Sequence, residues 1–150
     1  MVDRNYQIAE KALRLAIVLH YGQSRKITNE PYINHPKRVA ECFLDDKTKA
    51  SAYLHDTLED TKITEQELRE FFPDYVVETV KILTRKKDEN YFDFIMRIKN
   101  SSNLDALMIK SADINDNLRD LGEGSLKDKY RLAQYILQQQ LISCQTLKES

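Results

Sequence analysis

The chain has 150 residues, 41% hydrophobic and 31% charged, which is typical of one globular domain and excludes a disordered chain. Its formal net charge of −1 argues against a general nucleic-acid binder, which would carry a basic surplus. No apolar run approaches the roughly 18 residues of a membrane span, and the charged N-terminal residues do not resemble a signal peptide. We therefore expect a single cytoplasmic domain, residues 1–150, in which Cys42 and Cys144 are free, buried thiols.

Eight helices are predicted along the chain. They cover residues 3–21, 36–45, 47–60, 64–72, 74–84, 91–99, 104–121 and 125–147. Asp3 and Ser125 are predicted N-caps of the first and last helices, and Thr64 opens a capping box. Pro36 suits the first position of its helix, and Gly122 ends the seventh. Since no segment has a strand pattern, the fold class is predicted to be all-α, a single bundle of about eight helices.

The most informative feature is His55-Asp56, followed by Glu59-Asp60. In a helix, residues at i and i+4 lie on one face, so the two pairs should face the same way. An imidazole nitrogen and a carboxylate oxygen are both metal ligands, and further carboxylates can move protons. This pattern indicates hydrolysis by a water held at a metal ion.

Two ligands do not complete a metal site, so other helices must contribute. His35 lies where a loop meets a helix, and Asp113 lies in a mostly apolar helix, where an unpaired carboxylate would be costly. The candidate ligands then supply two nitrogens and two oxygens: His35, His55, Asp56 and Asp113. This mixed set suits Mn, Fe, Co, Ni or Zn. Glu59 and Asp60 would be the general base and acid.

A phosphorylated substrate would need cations and hydrogen-bond donors. Arg25 and Lys26 lie in the loop before the candidate ligand of the second helix. Asn117 lies one turn after the ligand of the seventh helix. Arg131 and Tyr135, at i and i+4 of the last helix, offer a guanidinium and a phenol on one face.

Each of these features also has an ordinary structural interpretation. A His-Pro pair often only starts a helix, a His-Asp pair is commonplace, and an Arg-Lys pair is usually surface charge. His20 is predicted to be a structural histidine, residues 85–87 a solvated connection, and the aromatic side chains of Tyr91, Phe92 and Phe94 core and rim packing.

Taken together, the motifs form an ordered set. They are Arg25-Lys26, Pro31-Tyr32-Ile33-Asn34-His35-Pro36, His55-Asp56, Glu59-Asp60-Thr61, Ala112-Asp113 and Asn117-Leu118-Arg119-Asp120-Leu121. In this order they resemble the HD-domain phosphohydrolases, and among these the hydrolase domain of the RelA/SpoT family and its small stand-alone alarmone hydrolases. The resemblance covers residues 8–137, nearly the whole chain.

The resemblance implies an all-helical fold, one divalent ion, commonly Mn²⁺, and a role in the stringent response. It also implies hydrolysis of guanosine tetra- or pentaphosphate at the 3′-pyrophosphate, releasing pyrophosphate and GDP or GTP. The implied metal ligands are His35, His55, Asp56 and Asp113. Glu59 and Asp60 would activate the water. The implied substrate contacts are Arg25, Lys26, Tyr32 and Asn117, with Arg131 and Tyr135 at the other phosphate end.

The chain departs from the family pattern at three places. The family often has a basic residue where Ile114 stands, and a His or Tyr where Asp116 stands. The loop over residues 27–30 lacks the family's Gly, and Asn29 is expected to supply the left-handed turn instead. We expect these changes near the nucleotide pocket, where they would bear on the substrate and leave the metal site intact.

Three hypotheses follow from the sequence. The chain is an alarmone hydrolase, or it hydrolyses another phosphorylated nucleotide such as NADPH or a nucleoside monophosphate, or it is a non-catalytic nucleotide-binding regulator. Retention of Glu59 and Asp60 argues against the last, because a binding protein has little need of them. The expected partner is a small phosphorylated nucleotide, without nucleic acid or membrane, and a homo-oligomer is an open expectation.

Overall fold

The structure is a computed structural model that describes residues 7–149. These residues form nine helices, whose apolar faces follow the periodicity of the sequence. They are α1 (Gln7–Leu19), α2 (Asn34–Glu41), α3 (Asp46–Leu54), α4 (Thr57–Asp60), α5 (Glu65–Phe71), α6 (Asp74–Ile82), α7 (Tyr91–Lys99), α8 (Leu104–Asp120) and α9 (Ser125–Glu149). Within residues 7–149 there is no β-strand, and one isolated bridge pairs Ser24 with Pro31. The predicted all-α class is confirmed. No described helix combines the length and the apolar character that crossing a membrane would require.

The predicted helix over 47–60 is in fact two helices, which separate at His55 and Asp56. His55 Nδ1 donates to the carbonyl of Ala52 at 2.6 Å, and Thr57 Oγ1 donates to the carbonyl of Leu54 at 2.7 Å. Side-chain donors therefore satisfy carbonyl groups at the C-terminal end of α3, which lets the backbone leave the helix there. As a result, the His-Asp pair projects from a helix end and not from one regular turn.

Several predicted helix ends need correction, while one cap is confirmed. Helix α2 begins at Asn34, so Pro36 is its third residue. Helix α9 begins at Ser125 itself, and Asp128 N donates to the carbonyl of Gly124 before it. Thr64 Oγ1 accepts from the backbone N–H of Glu67, as the capping box predicts. The predicted cap at Asp3 lies outside the described residues.

Helix α3 lies at the centre of the fold, packed against α1, α2, α6 and α8. Its C-terminal half, residues 50–54, is buried on all sides, a pattern typical of a core helix, whereas Lys47 near its start is exposed. The buried side chains of α3 are Thr48, Ala50, Ser51, Ala52, Tyr53 and Leu54. Small residues on α1, such as Ala12 and Ala16, let that helix approach closely. The end of α3 therefore delivers His55 and Asp56 into the interior.

The start of α1 is capped from a distant part of the chain. The carboxylate of Asp46 accepts hydrogen bonds from the backbone N–H groups of Ile8 at 3.2 Å and Ala9 at 2.8 Å. Replacing Asp46 with alanine is expected to lower the free energy of unfolding by about 1 kcal/mol, because these N–H groups lose their acceptor. Urea denaturation would measure the change. The Asp46→Asn variant keeps one acceptor oxygen and should lose less; equal stability of the alanine variant and the wild type would contradict this role.

Both cysteines are free, but their predicted burial is wrong for one of them. Cys42 is exposed on the surface beside α2, and Cys144 on α9 is partly buried.

Candidate metal centre and adjoining cleft

Four side chains from three parts of the fold meet beside the end of α3. Helix α2 places His35, the break after α3 places His55 and Asp56, and α8 places Asp113. His35 Nε2 lies 2.9 Å from Asp113 Oδ1 and 3.6 Å from Asp56 Oδ2. His55 Nε2 lies 3.1 Å from Asp56 Oδ2 and 3.6 Å from Asp113 Oδ1. The structure thus brings all four predicted ligands together, with two nitrogens facing two carboxylate oxygens.

The chemistry of this cluster fits a divalent cation. His55 Nδ1 donates to the carbonyl of Ala52, so in the neutral ring Nε2 carries the lone pair, and Nε2 is buried without a hydrogen-bond partner among the described residues. Burial disfavours the charged His55 ring, but the carboxylates of Asp56 and Asp113 outweigh it and raise the pKa of His55 well above its usual value. The same negative field favours a metal ion between these groups.

Asp113 is oriented by three neighbours. Its Oδ2 accepts from Lys110 Nζ at 2.7 Å, and its Oδ1, which faces His35, also accepts from Asn117 Nδ2 at 3.1 Å. Burial would raise the pKa of Asp113, but the Lys110 ammonium holds it well below its usual range. Lys110 also lies over the ring of Phe94, 5.0 Å from its centre. The carboxylate is therefore charged, with Oδ1 turned toward the histidines.

The predicted acid–base pair borders the cluster. Asp56, Glu59 and Asp60 each present a carboxylate oxygen within 4.8 Å of the others. The Tyr32 hydroxyl donates to Asp56 Oδ2 at 2.5 Å and reaches Asp60 Oδ2 at 3.3 Å. Glu59 Oε1 accepts from the backbone N–H of Arg85 at 2.9 Å. Partial burial, with the nearby Asp56 carboxylate, raises the pKa of both Glu59 and Asp60, which suits groups that take up and return a proton.

Two adjoining cavities form one cleft over these residues. The inner cavity, about 200 Å³, lies over the candidate metal cluster, and the outer cavity, about 290 Å³, extends toward the loop before α2. Tyr32, Asn117 and Tyr130 line both cavities, so the two are continuous. Arg25 and Lys26 line the outer cavity, as expected for substrate contacts.

The structure does not bring Arg131 and Tyr135 to the cleft. Both are exposed on α9, and neither lines the inner or the outer cavity. Arg131 instead pairs with Glu123 at 3.3 Å. The inward face of α9 carries Tyr130 and the buried Leu137, and a residue one position further along is turned by about 100°. The predicted role of Arg131 and Tyr135 at a phosphate end has no support from this arrangement.

Several cleft residues were missed by the sequence analysis. Lys110 lies three residues before Asp113, a spacing that places both on one helix face and could have identified it. Arg85 was predicted to lie in a solvated connection, yet it lines the inner cavity, as do Tyr91 and Phe94. Phe94 is also buried, as the packing prediction expects. Only the fold could have placed Arg85 and Tyr91 in the cleft, because they come from the α6–α7 connection and the start of α7.

Arg97 holds that connection in place. Its guanidinium donates to both carboxylate oxygens of Glu89, at 2.8 and 2.9 Å, and to the carbonyls of Ile82 and Thr84. Four hydrogen bonds from one side chain thus fold the connection back on itself. This arrangement keeps the Arg85 backbone N–H against Glu59.

The predicted location near the nucleotide pocket is wrong for Ile114, whereas Asp116 lies 3.9 Å from Arg25, which lines the outer cavity. Ile114 is buried in the core, and Asp116 lines neither cavity but lies behind His35, 2.7 Å from its Nδ1. Asn29 has a φ of 61°, which confirms the expected left-handed turn. His20 was predicted to be a satisfied structural histidine; it is buried, with Nδ1 2.8 Å from Gln23 Oε1 and its ring 5.0 Å from that of Tyr32, but its Nε2 has no hydrogen-bond partner among the described residues.

Comparison with known proteins gives concordant matches. The HD domain family model matches residues 12–138. A GTP pyrophosphokinase of Myxococcus xanthus is 33% identical over 153 residues, covering 90% of this chain and 20% of the relative. The bifunctional (p)ppGpp synthase/hydrolase SpoT of Escherichia coli is 34% identical over 147 residues, covering 85% and 20%. This chain therefore spans about a fifth of the length of these relatives.

This chain also matches a solved structure, and it covers a larger share of that structure than of the two relatives. The solved structure is described as a metazoan ortholog of SpoT that hydrolyzes ppGpp, and it superposes with a TM-score of 0.74 at 26% identity, covering 90% of this chain and 85% of the other. The fold and the donor cluster define an all-α domain with a histidine- and aspartate-lined candidate metal site. The chain belongs to the HD domain family, and the predicted resemblance to RelA/SpoT hydrolase domains is confirmed.

Proposed function

We propose that this chain is a metal-dependent hydrolase of guanosine 3′,5′-bis(diphosphate), cleaving the 3′-pyrophosphate to give GDP and pyrophosphate, or GTP and pyrophosphate from the pentaphosphate. The observation that carries the proposal is the meeting of His35, His55, Asp56 and Asp113 beside Glu59 and Asp60. Of these six residues, His35, Asp56, Glu59 and Asp113 line the inner cavity. The similarity to SpoT and to the metazoan ppGpp hydrolase supports this substrate.

The bond broken is the one between the ribose 3′-oxygen and the adjacent phosphorus. A divalent ion bound by the four ligands would lower the pKa of a coordinated water and polarise the phosphoryl group. Glu59 accepts from the Arg85 N–H and Asp60 lies within reach of the Tyr32 hydroxyl, and one of these two carboxylates would take the proton of the attacking water. The proton is then returned to the departing 3′-oxygen, which leaves as a hydroxyl group.

The two cavities suit the two ends of such a substrate. The inner cavity offers Arg85 and the Tyr91 hydroxyl, which is buried without a hydrogen-bond partner among the described residues and is free to donate to a phosphate oxygen. The outer cavity combines Arg25 and Lys26 with the apolar wall of Leu126. We propose that the pyrophosphate to be released occupies the inner cavity and the nucleoside the outer one.

The metal proposed is Mn²⁺, because the mixed nitrogen and oxygen donor set lies within its preferences and the family resemblance favours it. The single domain over residues 1–150, the cytoplasmic location, the absence of a nucleic-acid partner and a homo-oligomer stay predictions from the sequence.

The structure gives less support to the two rival functions, hydrolysis of another phosphorylated nucleotide and regulation without catalysis. A different phosphorylated nucleotide was suggested by Ile114 and Asp116, but neither lines the cleft. A non-catalytic regulator has no need of Glu59 and Asp60 in the positions described above.

Pyrophosphate release from guanosine tetraphosphate by the purified, Mn²⁺-loaded protein tests the proposal. We expect GDP and pyrophosphate in equal amounts, no release in EDTA, and a rate reduced at least about 100-fold in Glu59→Ala, the usual contribution of an acid–base group. The exposed Glu70 gives a matched control, since Glu70→Ala should hydrolyse at the wild-type rate. No release by folded, metal-bound protein, together with turnover of NADPH or a nucleoside monophosphate in the same assay, would overturn the substrate assignment.

A further inference from the structure

Asp116 contacts a candidate metal ligand from the side away from the cluster. Its Oδ2 lies 2.7 Å from His35 Nδ1. Because a carboxylate can only accept, Nδ1 must carry the hydrogen of this bond. In the neutral ring that a metal ion requires, the lone pair is then on Nε2, which points to the centre of the cluster and lies 2.9 Å from Asp113 Oδ1.

Asp116 is itself locked by an arginine. Arg38 Nε donates to Asp116 Oδ1 at 2.6 Å, and its terminal nitrogen donates to Oδ2 at 3.0 Å, a parallel two-bond pairing. The outer side of the same guanidinium pairs with both carboxylate oxygens of Glu30, at 2.8 and 3.1 Å. The Asp116 side chain is 8% exposed. Arg38 thus lies between two carboxylates, and Arg25 also approaches both, at 3.6 Å from Glu30 and 3.9 Å from Asp116.

The spacing of the residues explains how the row forms. His35 and Arg38 are three residues apart on α2, and Asp113 and Asp116 are three residues apart on α8. Both pairs lie on single helix faces, and α2 packs against α8. His35 is consequently held between two carboxylates, one at each ring nitrogen.

We infer that Asp116, locked by Arg38 and Glu30, is a positioning residue that holds His35 in the Nδ1–H tautomer with Nε2 directed at the metal. Asp116 lines neither cavity, so it does not contact a substrate there; it contacts the candidate ligand His35, and it also lies 3.9 Å from Arg25, which lines the outer cavity. A carboxylate behind a ligating histidine fixes the ring orientation and strengthens it as a donor, and loss of such a partner typically weakens metal affinity about 10- to 100-fold. The inference rests on the proposed metal site but not on the identity of the nucleotide.

Titration of the metal-free protein with Mn²⁺ alone, with free ion followed by electron paramagnetic resonance, tests this role. We expect the dissociation constant to rise about 10- to 100-fold in Asp116→Ala. Asp116→Asn, which keeps an acceptor but loses the charge, should give a smaller rise. Asp105→Asn on the same helix, whose carboxylate lies with Lys47 away from the cluster, is the matched control and should bind as the wild type does.

Two further readouts keep positioning separate from folding. Arg38→Lys keeps the charge but loses the two-bond pairing, so it should also weaken Mn²⁺ binding while the protein stays folded. In the metal-free protein, at a pH high enough to keep the ring of His35 neutral, its ¹⁵N chemical shifts should report Nδ1–H in the wild type and a mixture of tautomers in Asp116→Ala.

The outcomes separate the inference from the proposed function. Unchanged Mn²⁺ affinity in Asp116→Ala, Asp116→Asn and Arg38→Lys would overturn the inference, even if the variants unfold more easily in EDTA. A wild-type protein that binds no Mn²⁺ would overturn both the metal site and the inference. A wild-type protein that binds Mn²⁺ but leaves guanosine tetraphosphate intact, with weakened binding in the variants, would overturn the substrate alone and support the inference.

Discussion

Replacing Asp56 with alanine is expected to abolish hydrolysis of guanosine tetraphosphate while the helical fold remains. Asp56 Oδ2 faces both candidate histidine ligands and accepts from the Tyr32 hydroxyl, so its loss removes a metal ligand and the anchor of Tyr32 together. If the bound ion contributes about 4 kcal/mol of transition-state stabilisation, the rate should fall about 1000-fold. Turnover at saturating substrate and Mn²⁺, with helical content from circular dichroism, would measure both parts.

The matched control for this variant is Asp128→Ala. Asp128 is an exposed aspartate in the first turn of α9 and lines neither cavity, so its loss should leave the rate unchanged. Undiminished turnover in Asp56→Ala would remove Asp56 from the metal site. A similar loss of rate in both variants would point to a general effect of charge and not to a ligand.

Replacing Asp113 with alanine is expected to cost the protein stability as well as metal binding. Lys110 Nζ lies 2.7 Å from Asp113 Oδ2, and the lysine side chain is only 13% exposed. Without the carboxylate the ammonium stays buried and unpaired, a situation that usually costs about 3 to 5 kcal/mol. We expect a loss near the lower end, about 3 kcal/mol, because the slight exposure of Lys110 lets water reach it. Urea denaturation in EDTA would measure this loss without any contribution from a bound ion.

A double variant separates the unpaired charge from the loss of packing. In Lys110→Met with Asp113→Ala no buried ammonium remains, so more than half of the lost stability should return. Metal binding should stay lost in the double variant, because Asp113 Oδ1 is absent. If the single variant is as stable as the wild type, Lys110 is solvated and does not depend on Asp113.

The carboxylates of the site have two kinds of partner, the position of a cation on one side and basic side chains on the other. The carboxylates of Asp56 and Asp113 face the inner side of the histidine pair, where a cation would neutralise them. On the outer side, Lys110 pairs with the carboxylate of Asp113 and Arg38 pairs with that of Asp116. Because an unpaired buried charge is costly, these pairs let α8 carry two aspartates into the interior.

Much of the candidate site could be predicted because its residues belong to short local motifs. His55-Asp56, Glu59-Asp60 and Asp113 can be recognised by residue type and by their short spacing along the chain. The 3.6-residue period of a helix was enough to expect the first two pairs on one side, although the helix breaks between α3 and α4. Most helices could be predicted for the same reason, and α7 has the predicted bounds. Apolar periodicity, capping residues and prolines act over a few neighbouring residues, so they can be recognised without knowing the fold.

The remaining features depend on contacts between residues far apart in the chain. The position of Asp116 behind His35 requires α2 and α8 to lie side by side, and the place of Arg85 in the cleft requires the α6–α7 connection to fold over α4. Arg131 and Tyr135 share a helix face, but only the docking of α9 decides which of its faces meets the cleft. Most helices and the types of the candidate ligands follow from the sequence alone, because both depend on neighbouring residues. The tertiary structure decided which side chains surround those ligands, because orientation and distance between helices arise from packing of the whole chain.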